Sequence, residues 1–185
     1  MTNEGAIATP YDVFLSYSND TRLSFTANLY HTLRDKGIKT FPVDDDDDDE
    51  DDSDELLRRV KALEESRVSI VVLSKDYAYS MRCLDELVKI IDCKKRMGQQ
   101  VWPIFYGVDP SDVRYERGSY GQAMVAHEDM INKDYMKVQE WRTSLSEVAN
   151  LTGWQLKIGS RNEENSSKRR KDYRENNRRN DDSRG

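Results

Sequence analysis

The sequence predicts an α/β domain, with a five-stranded parallel sheet held between two layers of helices. Three observations carry this. Short runs rich in β-branched and aromatic residues recur along the chain, and stretches with a helical apolar period fill the gaps between them. Two of the runs, RVSIVVL (67–73) and VWPIFYG (101–107), are apolar almost without interruption. That is the pattern of a strand whose sheet is covered on both faces. Strict alternation of strand and helix then implies parallel pairing, because each crossover returns the chain in the same direction.

The elements follow in order. YDVFLSY (11–17) reads as strand one. From Thr21 to Lys36, Phe25, Leu29 and Leu33 recur every four residues, and Gly37 suits the position just past a helix end. KTFPV (39–43) reads as strand two. A helix over about 53–65 places Leu56, Leu57, Val60 and Leu63 on one face, with Ser53 as its N-cap. Strand three is RVSIVVL. The next helix, about 83–95, carries Leu84, Leu87, Val88 and Ile91. Strand four is VWPIFYG. It is followed by the turn-rich VDPSDVR, a short helix near 119–128 and a long one near 134–150 with Val138, Trp141, Leu145 and Val148 as its stripe. WQL (154–156) supplies a short fifth strand at the edge. Five strands joined this way give the flavodoxin-like order 2-1-3-4-5, a three-layer sandwich whose crevice opens beyond the carboxyl ends of strands one and three. The loop 18–22 and the segment 74–86 border that crevice.

Composition divides the chain into a domain and two polar ends. With 36% hydrophobic and 35% charged residues, the 185-residue chain is too polar for all of it to pack into one globule. Apolar residues concentrate in 11–156, so 1–10 and 157–185 are expected to be disordered. The formal charge of −6 is segmental. Eleven of the thirteen residues in VDDDDDDEDDSDE (43–55) are carboxylates, whereas from Gln155 onward ten Lys/Arg face six Asp/Glu. Nothing in MTNEGAIATP resembles a signal peptide, and no apolar run approaches the roughly 20 residues of a membrane span. A cytoplasmic protein is expected. The tail cluster Lys168–Lys171 reads either as a nuclear import signal or, more simply, as a solvated basic tail. Apart from Tyr173 the tail lacks the aromatic residues that stack on bases, so no specific nucleic-acid partner is expected.

Chemistry is sought at the crevice, in SKDYAYSMRCLDELVKI (74–90). Asp85 and Glu86 fall in the expected first turn of the third helix, where acidic residues favour the positive end of the macrodipole whether or not they have another task. A carboxylate at that place is also suited to stabilising a developing cation. Cys83 has no histidine evidently placed to activate it, since His31 and His127 both read as surface or boundary residues, so a packed thiol is the better reading. Two cysteines make neither a disulfide framework nor a structural zinc site. The Asp run has no Gly to form the fixed turn of a cation-binding loop, and no metal site is expected there.

Seven blocks, among them YDVFLSY, DTRLSFTANLYHTLRDKGIKTF, LEESRVSIVVLSKDYAYS, CLDELVKIIDCKK and VDPSDVR, together resemble the Toll/interleukin-1 receptor (TIR) domain of plant intracellular immune receptors. The resemblance runs over about 11–156. It implies the fold already deduced, and it implies cleavage of the nicotinamide–ribose bond of NAD as a substrate, with no cofactor or metal. The family's catalytic glutamate corresponds to Glu86 in CLDEL. Ser18, Asn19, Arg82 and Cys83 fall where that family approaches the nucleotide, and Ala27, Asn28 and Asp49 where it associates with other TIR domains.

The sequence also departs from the family. Arg82 stands where a Trp is usual, YSNDTR is one residue shorter than the usual loop and lacks its Arg and Gly, and Ala27-Asn28 replaces a Ser-His pair. The acidic run replaces the loop between strand two and helix two, with Asp46, Asp48, Asp49 and Asp52 at its usual Leu, Arg, Gly and Ile. Neighbouring carboxylates repel by roughly 1 kcal/mol per close pair in water, so a mobile loop is expected. Two functions therefore stand: a self-associating NAD-cleaving signalling enzyme of plant innate immunity, or a catalytically impaired TIR adaptor or decoy that acts by TIR–TIR binding.

Overall fold

The computed structural model describes residues 10–43, 53–131 and 134–158. Most of the acidic run (44–52, including Asp49), the N-terminal segment before Pro10 and the tail from Gly159, with its 168–171 cluster, lie outside the described residues.

Strands β1 (Tyr11–Ser16), β2 (Ser66–Leu73), β3 (Gln100–Tyr106) and β4 (Trp154–Leu156) form one parallel sheet in the order β1-β2-β3-β4. Registers such as Leu15↔Ile70, Ile70↔Trp102 and Ile104↔Trp154 align the carboxyl ends of β1, β2 and β3 along one edge. The expected second strand, 39–43, is reduced to a single parallel bridge, Val13↔Thr40, on the free side of β1. The spatial order is thus the expected one, but the ladder stops early. The bridge is closed by Val13 N–H to the Lys39 carbonyl at 3.1 Å and by Phe41 N–H to the Val13 carbonyl at 3.0 Å, so Pro42 faces away from β1, where a missing N–H costs the ladder nothing. At the other edge β4 begins directly after Gly153, where a Cβ would lie 2.2 Å from the Pro103 carbonyl oxygen. Only glycine lets the chain enter the sheet there.

The first helical region comprises α1 (Asn19–Thr21), a π-helical turn (Arg22–Thr26) and α2 (Ala27–Asp35). Its C-terminal stop is the expected one, with Gly37 at φ 76°. Helix α3 (Ser53–Glu64) departs from its predicted packing face. Leu63 is buried with Ala62, but Leu56 and Leu57 are 51% and 66% exposed, and the buried residue one turn earlier is Arg59. Helix α4 (Met81–Met97) starts two residues earlier than expected, because Ser80 caps it by accepting from the Cys83 N–H at 3.2 Å. Asp85 and Glu86 therefore sit in its second turn, beyond the strongest reach of the macrodipole. Helices α5 (Pro110–Arg114), α6 (Ser119–Met130) and α7 (Tyr135–Ala149) complete the described residues, with Asp109 and Asp134 capping α5 and α7.

The sheet carries one core on each face. On the first, Phe14, Val71, Leu73, Val101 and Phe105 meet Leu63 of α3, Leu84, Leu87, Ile90 and Ile91 of α4, and Val138, Trp141, Leu145 and Val148 of α7. On the second, Val13, Leu15, Tyr17, Ile70, Val72 and Ile104 are covered by Phe25, Leu29, Tyr30 and Leu33. The first core is the larger, and each fully buried Leu or Ile in it contributes roughly 1.5–3 kcal/mol by leaving water. This clamp fixes α4 against the sheet and so fixes where its second turn points.

Candidate active site at the β1–α4 crevice

Strand β1 ends by placing Ser16 inside the molecule, and the chain leaves the sheet through Tyr17 and Ser18, both also buried. Alternation along β1 sends Phe14 and Ser16 to the first face, toward α3 and α4. There Ser16 Oγ donates to Glu86 Oε2 at 2.6 Å and lies 2.8 Å from the Tyr77 hydroxyl. The other carboxylate oxygen, Oε1, accepts from Arg59, whose Nε and terminal nitrogen Nη2 are each 2.9 Å away. Both oxygens of Glu86 are thus engaged by the protein.

The Arg59 side chain is 2% exposed and that of Glu86 10%. A guanidinium so deeply buried needs more than one partner. Arg59 also donates to the Leu15 carbonyl at 3.3 Å and lies over the rings of Phe14, Tyr17 and Phe41 at 5.0, 5.5 and 5.9 Å. Burial alone would lower its pKa, but the charge of Glu86 overrides this, and the group is held above its ordinary value and fully charged.

Asp85, one residue earlier, has a different task. Its Oδ1 accepts from Trp141 Nε1 at 2.8 Å and its Oδ2 from Lys137 Nζ at 3.0 Å, tying α4 to α7. Cys83 also faces inward. It is 1% exposed and its thiol donates to the Tyr17 carbonyl at 3.2 Å. Burial first, then the nearby charge of Glu86, pushes its pKa up to about 12. It is a packed thiol, not a nucleophile.

A cavity of about 450 Å³ lies beside this cluster, and Ser18, Asn19 and Arg82 are among its lining residues, as the sequence leads one to expect. Its floor is firmly built: Ser18 Oγ and Ser74 Oγ are 2.9 Å apart, and both donate to Asp20 Oδ1. Asp76 and His127 line it too. His127 is buried rather than a boundary residue. Its Nε2 is 2.8 Å from the Ala78 carbonyl oxygen, its ring meets Trp141 edge-on, and Nδ1 has no partner among the described residues. Cys83 and Glu86 do not line the cavity; the Glu86 carboxylate turns instead toward Ser16 and Arg59. The structure therefore brings Ser18, Asn19 and Arg82 together and holds Glu86 one helical turn away.

Of the positions expected to associate with other domains, Ala27 is half-buried and Asn28 exposed on α2. Three residues of the cluster were not anticipated: Ser16, Arg59 and Tyr77. Arg59 carried a readable signal. It stands three residues after Leu56 and four before Leu63, a charge within an apolar helical stripe, and such a charge implies a buried counter-ion.

Known proteins show the same pattern. The disease resistance protein RPV1 of Vitis rotundifolia is 51% identical over 149 residues, covering 80% of this chain and 10% of that protein. The TMV resistance protein N of Nicotiana glutinosa is 50% identical over 144 residues, covering 77% of this chain and 12% of that protein. This chain thus spans about a tenth of the length of the curated relatives it matches. Among solved structures, the TIR domains of the activated Roq1 resistosome, which directly recognises the pathogen effector XopQ, superpose with a TM-score of 0.70 at 43% identity, covering 80% of this chain and 89% of that one. Residues 10–181 match the TIR domain family. With the sheet order, the crevice and these relatives in agreement, the chain belongs to the TIR domain family.

Proposed function

We propose that this TIR domain cleaves the nicotinamide–ribose bond of NAD through Glu86, and that it signals in plant defence by associating with other TIR domains. The observation that carries the reading is the carboxylate of Glu86 at the carboxyl end of β1, one turn along α4 from Arg82 and a cavity of about 450 Å³. Switch-point crevices are where open α/β sheets bind ligands, and this volume falls within the range of small-molecule sites. The relatives named above as disease resistance proteins, and the Roq1 TIR domains in their resistosome, support the biological setting and the role of assembly.

In this reaction the bond between ribose C1′ and the nicotinamide nitrogen breaks heterolytically. The electron pair leaves with nicotinamide, which becomes neutral, and the positive charge passes to an oxocarbenium-like ribosyl centre. A carboxylate that accepts hydrogen bonds from the ribose hydroxyls offsets that charge as it develops. Water then adds at C1′ and loses a proton to give ADP-ribose; capture by a nucleophile within the nucleotide gives a cyclic product. Arg82 is the cation at the cavity suited to the pyrophosphate, against the opposing charges of Asp20 and Asp76.

The test is nicotinamide release from NAD by concentrated protein, with Glu86→Gln and Glu86→Ala as controls. Release that both substitutions abolish is expected; release no greater than that of the controls, under conditions that promote assembly, refutes the enzyme. The second reading, an impaired adaptor or decoy, is favoured by one specific observation: both oxygens of Glu86 are already occupied by Ser16 and Arg59. It predicts TIR–TIR binding that Glu86→Gln leaves intact, without turnover.

A further inference from the structure

We propose that Arg59 restrains Glu86, so that the conformation described here is a latched state in which the carboxylate is withheld from substrate. The inference rests on the assignment of Glu86 above. A carboxylate that is to accept from ribose hydroxyls needs a free oxygen facing the ligand. Glu86 presents none that is free of a protein donor: Oε1 is held by two nitrogens of Arg59, and Oε2 shares its acceptor sites with Ser16. A guanidinium at 2.9 Å also cancels much of the negative charge with which the group would stabilise a cation.

The latch is built, not incidental. Arg59 is confined by the Leu15 carbonyl and by three aromatic rings, two from β1 and the residue after it and one from the segment beside the Thr40 bridge. It therefore cannot follow Glu86 outward without α3 moving. That helix has an uneven hold on the core: Ala62 and Leu63 anchor its second half, while Leu56 and Leu57 in the first half are exposed. Arg59, the seventh of the twelve residues, is the first buried one met from the N-terminus and adjoins that exposed half. Tilting that half away from the sheet withdraws the guanidinium and frees Oε1. Ser16 alone then remains on Glu86, and a neutral hydroxyl is a much weaker competitor for the carboxylate than a paired cation. Arg59 is thus a positioning residue that acts on Glu86 and does not meet the substrate.

The experiment compares wild type, Arg59→Met, Arg59→Lys and Ser16→Ala in steady-state NAD cleavage, with near-UV circular dichroism to establish that each is folded. Methionine keeps the length and apolar packing of the site and removes the charge. Arg59→Met is expected to raise kcat/KM at least tenfold, Ser16→Ala severalfold, and Arg59→Lys to fall between wild type and Arg59→Met. A residue needed only for structure would lower activity, so the direction of change is the decisive readout. Should Arg59→Met fail to fold, Ser16→Ala decides: it leaves the ion pair and the Tyr77–Cys83 hydrogen bond in place and opens only one oxygen. Activity at or below wild type in the folded variants overturns the latch. If no protein, wild type included, releases nicotinamide, the enzyme assignment fails by itself. The latch is then judged by NMR titration with NAD, where Arg59→Met must bind at least tenfold more tightly than wild type, and equal affinity overturns it.

Discussion

Glu86→Ala tests the ion pair at the centre of the site through stability alone. The substitution removes the only carboxylate paired with Arg59 among the described residues and leaves a guanidinium with 2% exposure and no counter-charge. Breaking a buried pair from one side costs about 3–5 kcal/mol. Here the Leu15 carbonyl and the rings of Phe14, Tyr17 and Phe41 remain to solvate the cation, and cation–π contacts contribute about 0.5–2 kcal/mol. The net loss is therefore expected near 2–4 kcal/mol, roughly 5–15 °C in Tm for a domain of this size. Glu86→Gln, which keeps an acceptor for Arg59, should lose about half as much. Urea unfolding followed by tryptophan fluorescence gives the values. The double variant Arg59→Met/Glu86→Ala removes the stranded charge, and the cycle should return a coupling of about 2 kcal/mol or more. A Glu86→Ala protein within about 0.5 kcal/mol of wild type, well under the expected loss, would show that Arg59 and Glu86 are not paired in solution and would remove the basis of the latch as well.

Other outcomes follow from neighbouring contacts. Trp141→Phe deletes the donor to Asp85 while keeping most of the buried ring, and should destabilise by about 1–3 kcal/mol in the same urea assay. Cys83 titrates at an ordinary value of 9.0 when unfolded and about 12 when folded, so the folded state holds its proton more tightly; its contribution is complete below pH 9 and lost as pH rises from 9 toward 12. Burial raises Tyr77 and Tyr120 in the same sense, so thermal melts should fall steeply through that alkaline window, and a flat Tm from pH 9 to 11 would contradict it. Arg82→Glu reverses the cation that lines the cavity between Asp20 and Asp76, and should raise KM for NAD about tenfold with a smaller change in kcat. A change confined to kcat would mean that Arg82 does not meet the nucleotide in the ground state.

Local signals carried most of the architecture. The apolar runs of β2 and β3 and the four-residue periods of α2, α4 and α7 reflect burial along one element, so they can be read without knowing its neighbours. Errors arose where one residue overruled a pattern. The second strand is the exception: it shrank to one bridge although Pro42 faces away from β1 and takes no N–H from the ladder. Ser80 moved the start of α4 two residues upstream, taking Asp85 and Glu86 out of the first turn. In α3 the apolar stripe pointed to Leu56 and Leu57, whereas Arg59 took the buried place that a counter-ion from α4 made tenable.

The sequence by itself determined the class of fold, the order of the strands and the segments that meet at the crevice. Its resemblance to the TIR family also pointed to Glu86, through a motif local to one helix. Tertiary structure alone decided what that carboxylate touches. Its partners Ser16 and Arg59 lie 70 and 27 residues away, on a strand and a helix brought together by the sheet order and by the packing of the first core. Periodicity records which side of an element is buried; it does not record which charge waits on the other side of the contact. That pairing turns a glutamate recognisable from a short motif toward Ser16 and Arg59, and leaves it out of the lining of the adjoining cavity.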